Sequence, residues 1–430
     1  MTYRCFLAAL FSGALLLSLS ACDDSSTVGL GVGPDSLEGG QPVTVTASPD
    51  TFDTFTEVDV TSQVASSTDS IPSNGHRILV GAVDDPLVGT VVTRGHIDFR
   101  QPDDVGNFES IDGVNLVLQT EYRYGDTSSV QTIDVREADT EIQSDWTADE
   151  TGITFGDVIT SFDIAASDTT VTVSLPSSWV AANGPTLFST STGSDSYDDL
   201  FEGLVLTTQS GNRVTGFDRE SSFLQVAYQP AANVQDTLEY DGAKSFTHIE
   251  RTTTASPPSG TELLQDGLGT NLVTNFDFND SPFDELGVVP VNRAELVLPI
   301  DSTALEQSTP ANFVRPSLEG IFLRARAVDS LRAETSTGEL SLCRSLGLQT
   351  TVESSCLIDL SLTSTGLGAP NSAMRRIVER TLLEEAPLFD RYVLELNAGE
   401  PTITPLLLST PDATNENNRP RLQVTVVPQN

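Results

Sequence analysis

Three short runs recur in the same order in the two halves of the chain. "LVGTVVTRGHIDF" (87–99) aligns with "LGTNLVTNFDF" (268–278), which sets Gly89-Thr90 180 residues before Gly269-Thr270. "VNLVLQTEY" (114–122) aligns with "AELVLPIDS" (294–302) at the same offset, matching Leu116 and Leu118 to Leu296 and Leu298. "SFLQVAYQP" (222–230) matches "PRLQVTVVP" (420–428) at an offset of 198. A repeat constrains a fold more than any single motif, because both copies must bury the same pattern in the same way. The rise in offset from 180 to 198 implies a gain of 18 residues in the second copy, in the region that holds Cys343, Cys356 and a helical stretch.

Both copies alternate with period two. Val114, Leu116, Leu118, Thr120 and Tyr122 fall on one face of a strand, with Asn115, Gln119, Glu121 and Arg123 on the other. Val171, Val173 and Leu175, then Leu224, Val226 and Tyr228, then Leu422, Val424 and Val426 repeat the pattern. Short alternating runs divided by Gly, Asp, Ser and Pro predict an all-β fold of antiparallel sandwiches. The repeat places two of them in tandem, over 43–230 and 231–430, with "QPAANVQD" (229–236) as the joint. One helix interrupts the second copy, "NSAMRRIVERTLLEEAP" (371–387), capped by Ser372 and ended by Pro387. Its apolar stripe is Met374, Ile377, Val378, Thr381 and Leu382. The first copy offers "PSSWVAANG" (176–184) at that place, one or two turns at most, and the extra residues of the second copy are expected to project from an end or edge.

Residues 1–21 have Arg4, an apolar run from Cys5 to Leu19, and small residues before Cys22. This describes a secretory signal, being shorter than the roughly 20 apolar residues of a membrane span. Leu19-Ser-Ala-Cys22 resembles the lipobox of bacterial lipoproteins, in which the cysteine thiol is diacylated, and Asp23-Asp24 behind it resembles the surface-export signals of Bacteroidota lipoproteins. The resemblance implies lipidation at Cys22, a flexible tether over 22–42, attachment to the membrane by lipid alone, and an outer-membrane location with exposure on the cell surface in view.

The chain has 61 acidic and 22 basic residues, a formal charge of −39, and Lys244 is its only lysine. Such a field repels nucleic acid and anionic headgroups. Much Asp and Thr with almost no Lys resembles proteins of salt-loving bacteria, where salt screens self-repulsion. The alternative is an acidic surface that binds divalent cations. Cys343 and Cys356 flank the polar "RSLGLQTTVESS", which a disulfide would close in an oxidising compartment. Free thiols or a metal pair are the alternatives.

An exported cysteine, "VGLGVGPDS" and "ILVGAVDDPLVGTVVTRGHIDF" together resemble a family of Bacteroidota lipoproteins that carry a domain of unknown function. In the first copy "NLVLQTEYRYGD", a segment with Trp146, Glu150 and Thr154, and a closing "SSFLQVAYQP" resemble the DNRLRE-type jelly rolls of bacterial surface proteins, and the second copy repeats the pattern without the Trp segment. That likeness implies a jelly-roll sandwich, hosted by polysaccharide binders and structural stalks alike.

Signals for chemistry are sparse. His76, His96 and His248 lie far apart, and no HExxH, GxSxG, Walker loop or CxxC occurs. Asp195, Asp198 and Asp199 in "TGSDSYDDLFEG", and Asp277 and Asp280 in "NFDFNDSPFDE", are the calcium candidates, though neither loop has EF-hand spacing. Trp146, Tyr122 and Tyr124 are the candidates for stacking on sugar rings, with core filling as the competing explanation for them, for Trp179 and for Tyr197. The expectation is a non-enzymatic, lipid-anchored envelope protein with a structural or adhesive role and no cofactor. The alternatives are a glycan-binding lipoprotein that captures polysaccharide, and a hydrolase without a recognisable motif. A row of exposed aromatics would favour the first alternative, and a deep cleft with converging carboxylates the second.

Overall fold

Leu116 stands opposite Leu224 across one antiparallel ladder, and Leu296 stands opposite Leu422 across another. Val114 faces Val226 in the first ladder as Ala294 faces Val424 in the second. All eight side chains are fully buried. The two closing runs are therefore held in the same register against the two leucine-rich runs. A slip of one residue in either ladder would turn its apolar set out to water.

The computed structural model describes residues 42–56, 65–66, 77–103, 105–143, 146, 154–190, 196–265, 267, 270–280, 282–284, 286, 290–316, 321–326, 349–350, 356–359, 361–363, 366–368, 371–383, 391–396 and 402–427. In chain order the strands begin with β1 (Val43–Ala47), β2 (Thr51–Thr56), β3 (Ala65–Ser66), β4 (Arg77–Asp85), β5 (Gly89–Phe99) and β6 (Ser110–Asp126). Then come β7 (Gln131–Ala138), β8 (Phe155–Ile164), β9 (Thr170–Ser174), β10 (Leu204–Ser210), β11 (Arg213–Ala231) and β12 (Val234–Arg251). The second half supplies β13 (Thr261–Gln265), β14 (Thr270–Asn275), β15 (Val291–Leu298), β16 (Phe313–Val314), β17 (Ile321–Arg326) and β18 (Gln349–Thr350). It ends with β19 (Cys356–Asp359), β20 (Ser361–Thr363), β21 (Gly366–Gly368), β22 (Arg391–Leu396), β23 (Pro405–Ser409) and β24 (Arg421–Val426). The helices are α1 (Ser177–Leu187), α2 (Tyr197–Leu200), α3 (Ser302–Gln307) and α4 (Asn371–Leu383). The fold is all-β and its ladders are antiparallel.

Five pairings of the first half have counterparts in the second. β4 pairs with β5 as β13 pairs with β14. β5 pairs with β10 as β14 with β22, and β10 with β7 as β22 with β17. β7 pairs with β8 as β17 with β19, and β6 with β9 as β15 with β21. In the second half a five-stranded and an eight-stranded sheet face one another across a core, the arrangement of a sandwich, while in the first half a single eleven-stranded sheet, continuous through the long strands β11 and β12, closes over its core. Leu116 and Val226 meet Ile97, Val135 and Leu206 in the first core, and Leu296 and Val424 meet Leu272, Leu394 and Leu406 in the second.

Sheet membership departs from a division at residue 230. β12 forms a hairpin with β11 through Ala231 and Val234, then continues along β5, so residues up to 251 belong with the first half. β1 and β2 pair with β24 and β14, so residues 43–56 belong with the second half. The two-residue turn explains the first shift, because it leaves β12 nowhere to go but alongside β11.

The helix of the second half is a layer of its core and does not project from it. Met374, Ile377 and Val378 are fully buried beside Leu296 and Leu298, and Thr381 is nearly so. Ser372 lies inside α4, which is described from Asn371 to Leu383, so it does not cap the helix from outside. Cys356 opens β19, a strand of the sheet, paired through Thr350 and Ala325. In the first half α1 runs for 11 residues, longer than one or two turns, and packs over β6 as α4 packs over β15. Gly184 permits that approach, since a Cβ there would stand 2.5 Å from Ile111 Cδ1.

A third apolar cluster joins the halves. Leu79, Val83 and Val91 lie on the outer face of β4 and β5, and they pack with Leu263, Leu407 and Ile403. β4 is consequently buried on both faces, with Ile78 and Val80 in the first core and Leu79 and Val83 at the junction. Among the described residues no helix is long and apolar enough to cross a membrane.

Candidate functional site

Several perturbed titratable groups gather around Lys244. β5 carries His96 and Asp98, and the neighbouring β12 places Phe246 opposite His96 and Lys244 opposite Asp98. The segment after β7 brings Glu141, whose Oε1 accepts from Lys244 Nζ at 3.0 Å. The segment after α2 brings Glu202, whose carbonyl lies 3.1 Å from His96 Nε2. Trp146 covers the cluster, edge-on to Phe246 at 5.1 Å and tilted against the His96 ring at 6.3 Å.

Burial governs the charges here. It pushes the Asp98 carboxyl up to about 7, against the Phe99 N–H and the Lys244 ammonium, with Asp198 and Glu202 adding repulsion. Burial lowers His96 to about 4, outweighing its contact with the Glu202 carbonyl, and His96 Nδ1 has no hydrogen-bond partner. The Glu202 carboxyl is raised by desolvation and by Glu141. Desolvation works against the Lys244 ammonium, but Glu141, Asp98 and Asp198 outweigh it and hold the pKa above its ordinary value. The cluster can take up or release a proton near neutrality at Asp98. His96 is neutral there and bound to a carbonyl.

A cleft of about 650 Å³ opens at the junction of the halves, lined by Arg77, Glu121, Tyr122 and Arg123 from the first and Val314 and Thr402 from the second. Arg77 Nε donates to Glu121 Oε1 at 2.9 Å, and its guanidinium lies 5.0 Å over the Tyr122 ring. Arg123 Nη2 donates to the Asp168 carbonyl at 2.7 Å. The cleft is thus cationic in a strongly acidic chain.

The sugar-stacking candidates are core residues. Trp146 is 7% exposed, Tyr122 5% and Tyr124 0%, so none presents a ring face to a polysaccharide. Tyr124 instead donates to Asp85 Oδ2 at 2.5 Å, and Tyr122 Oη accepts from the Ile403 N–H at 3.3 Å. Trp179 and Tyr197 are buried as well. Alternation predicted Tyr122 inward, but no signal in the sequence set Trp146 against Phe246, 100 residues later.

The calcium candidates close turns. Ser196 caps α2, its Oγ accepting from the Asp199 N–H at 3.3 Å and donating to Asp199 Oδ2 at 2.6 Å. Asp277 Oδ1 accepts from the Asn279 N–H, and the Asp280 carbonyl accepts from Phe283 N–H. Among the described residues no three His, Cys, Asp or Glu side chains stand together as metal ligands. Asp195, Cys22 and Cys343 lie outside the described residues. Compared with protein-family models and with curated proteins, the chain matches none.

Proposed function

We propose that this is a non-enzymatic lipoprotein of the outer membrane, anchored through Cys22, with a structural or adhesive role. The observation that carries the reading is the burial of every aromatic candidate for ligand stacking, in cores and at a junction that tie the two halves together. The large apolar side chains left exposed among the described residues are aliphatic and scattered: Val43, Val130, Val158, Leu200, Val234 and Val314. That is a face suited to standing in water as a spacer or contact element. A second reading, capture of an acidic polysaccharide, draws on the cationic junction cleft with Arg77 and Arg123.

Two measurements test the proposal. Cells making Cys22→Ser should accumulate unprocessed precursor and lose acyl label, since diacylation needs that thiol; normal labelling of the variant would remove the anchor. The domain after the tether, offered to an array of neutral and acidic glycans in molar salt, should bind none. Saturable binding that Arg123→Ala abolishes would replace the structural reading with the second one.

A further inference from the structure

The strand that closes each half comes from a different place along the chain. In the first half β12 follows β11 by a two-residue turn, placing Leu238 against Val226 and Tyr240 against Leu224, and then runs along β5. In the second half the same position is filled by β1 and β2. Val45 stands against Val424 and Ala47 against Leu422, and β2 then runs along β14, the counterpart of β5. β1–β2 is therefore the second half's version of β12, interrupted at Ser48-Pro49-Asp50 and delivered without a hairpin. The Thr44 and Thr425 hydroxyls, 381 residues apart in sequence, meet at 2.8 Å.

Among the described residues every ladder of β1 and β2 is with β24 or β14. Their other bonds reach the same half: the Asp50 N–H donates to the Asn275 carbonyl, the Asp277 N–H donates to Asp50 Oδ2, and Thr54 Oγ1 donates to Glu262 Oε2. Ala47 and Phe52 enter its core, while Val43 stays 43% exposed at the open edge of the sheet. Residues 57–76 separate this arm from β4. β3, inside that stretch, pairs with β12 of the first half, so eight residues (57–64) join the arm to that sheet; they reach up to about 28 Å when extended, enough to span to a neighbour in contact.

We propose that residues 43–56 are a donor strand that is exchangeable between copies: the groove between β24 and β14 accepts the arm of a second copy of this chain, linking copies head to tail. Each bond made in cis is made identically in trans, so local concentration alone selects between them. A heterologous contact of this kind propagates instead of closing. The inference stands on strand pairing and is independent of the envelope role proposed above.

The test uses full chains carrying one new cysteine each, Thr44→Cys in one population and Thr425→Cys in the other. These surface positions are register partners, close enough for a disulfide. Mixed at increasing concentration and oxidised, the two should yield a dimer whose tryptic map contains a 44–425 link. The double variant Thr44→Cys/Thr425→Cys should give a linked monomer when dilute and linked oligomers when concentrated. A double variant linked within single chains at every concentration, with no 44–425 link in the mixture, would overturn the proposal. Absence of the link even within the dilute double variant would overturn the pairing on which it rests.

Discussion

Arg315 holds both carboxylate oxygens of Asp85, with Nε 2.7 Å from Oδ2 and Nη2 2.8 Å from Oδ1, although 230 residues separate them. Asp85 is fully buried and the Arg315 side chain is 6% exposed. The Tyr124 hydroxyl and the Leu87 N–H donate to the same carboxylate, and Arg315 Nη1 donates to the Leu305 carbonyl and Thr309 Oγ1. Phe313 lies under the guanidinium and edge-on to Tyr124. The pair bolts β4 of the first half to the segment after β16 of the second.

Breaking that pair from one side should cost more than removing it. Asp85→Ala leaves a buried guanidinium without its counter-charge, a loss of about 3–5 kcal/mol. Asp85→Leu with Arg315→Met exchanges the pair for packing and should recover most of it. Urea unfolding of the three chains checks this. A double variant no more stable than Asp85→Ala would mean that the bond geometry, and not the stranded charge, sets the cost.

Asp98 should make the fold less stable as pH rises. Its folded pKa of about 7 stands above the ordinary 3.8. The folded state therefore holds this proton more tightly, and its contribution is complete below about 3.8 and lost as pH climbs through 7. His96 acts in the opposite sense, its contribution present above 6.5 and lost as pH falls toward 4. Asp98→Asn should melt higher than the natural chain at pH 8, with the gap closing toward pH 4. An unchanged gap across that range would show that Asp98 is ionised in the fold at no cost.

Equivalent leucines should carry equivalent weight. Leu224→Ala and Leu422→Ala each empty a fully buried position and should cost about 2–5 kcal/mol. Gln225→Ala and Gln423→Ala, on the alternate faces of the same strands, should change stability by less than about 0.5 kcal/mol. Denaturant midpoints decide it, and a glutamine variant as damaging as its leucine neighbour would contradict the register.

With a formal charge of −39, melting temperature should rise from low to molar NaCl, because screening shortens the reach of self-repulsion from about 30 Å at 0.01 M to about 3 Å at 1 M. A flat or falling curve would leave the saline reading without support.

The sequence by itself determined the strand faces and which strands of the two halves correspond. Side chains alternate across a strand by covalent geometry, so the spacing of Leu116 and Leu118, and of Leu296 and Leu298, marked the inward face without knowledge of a partner. The repeat offsets of 180 and 198 then matched Leu116 to Leu296 and Leu224 to Leu422, while the ladders that join Leu116 to Leu224 and Leu296 to Leu422 came from the tertiary structure. The α4 stripe was legible for the same reason, at a period of 3.6. Only the tertiary structure decided which strand closes each half, because ladder bonds join backbone groups that every residue carries and so leave no mark on side-chain pattern. It alone paired Asp85 with Arg315, 230 residues apart, by packing that removed water from both. It also drew Trp146 onto His96 and Phe246, where a loop folds back over a sheet and competition among distant apolar groups, with no local periodicity, sets the contact.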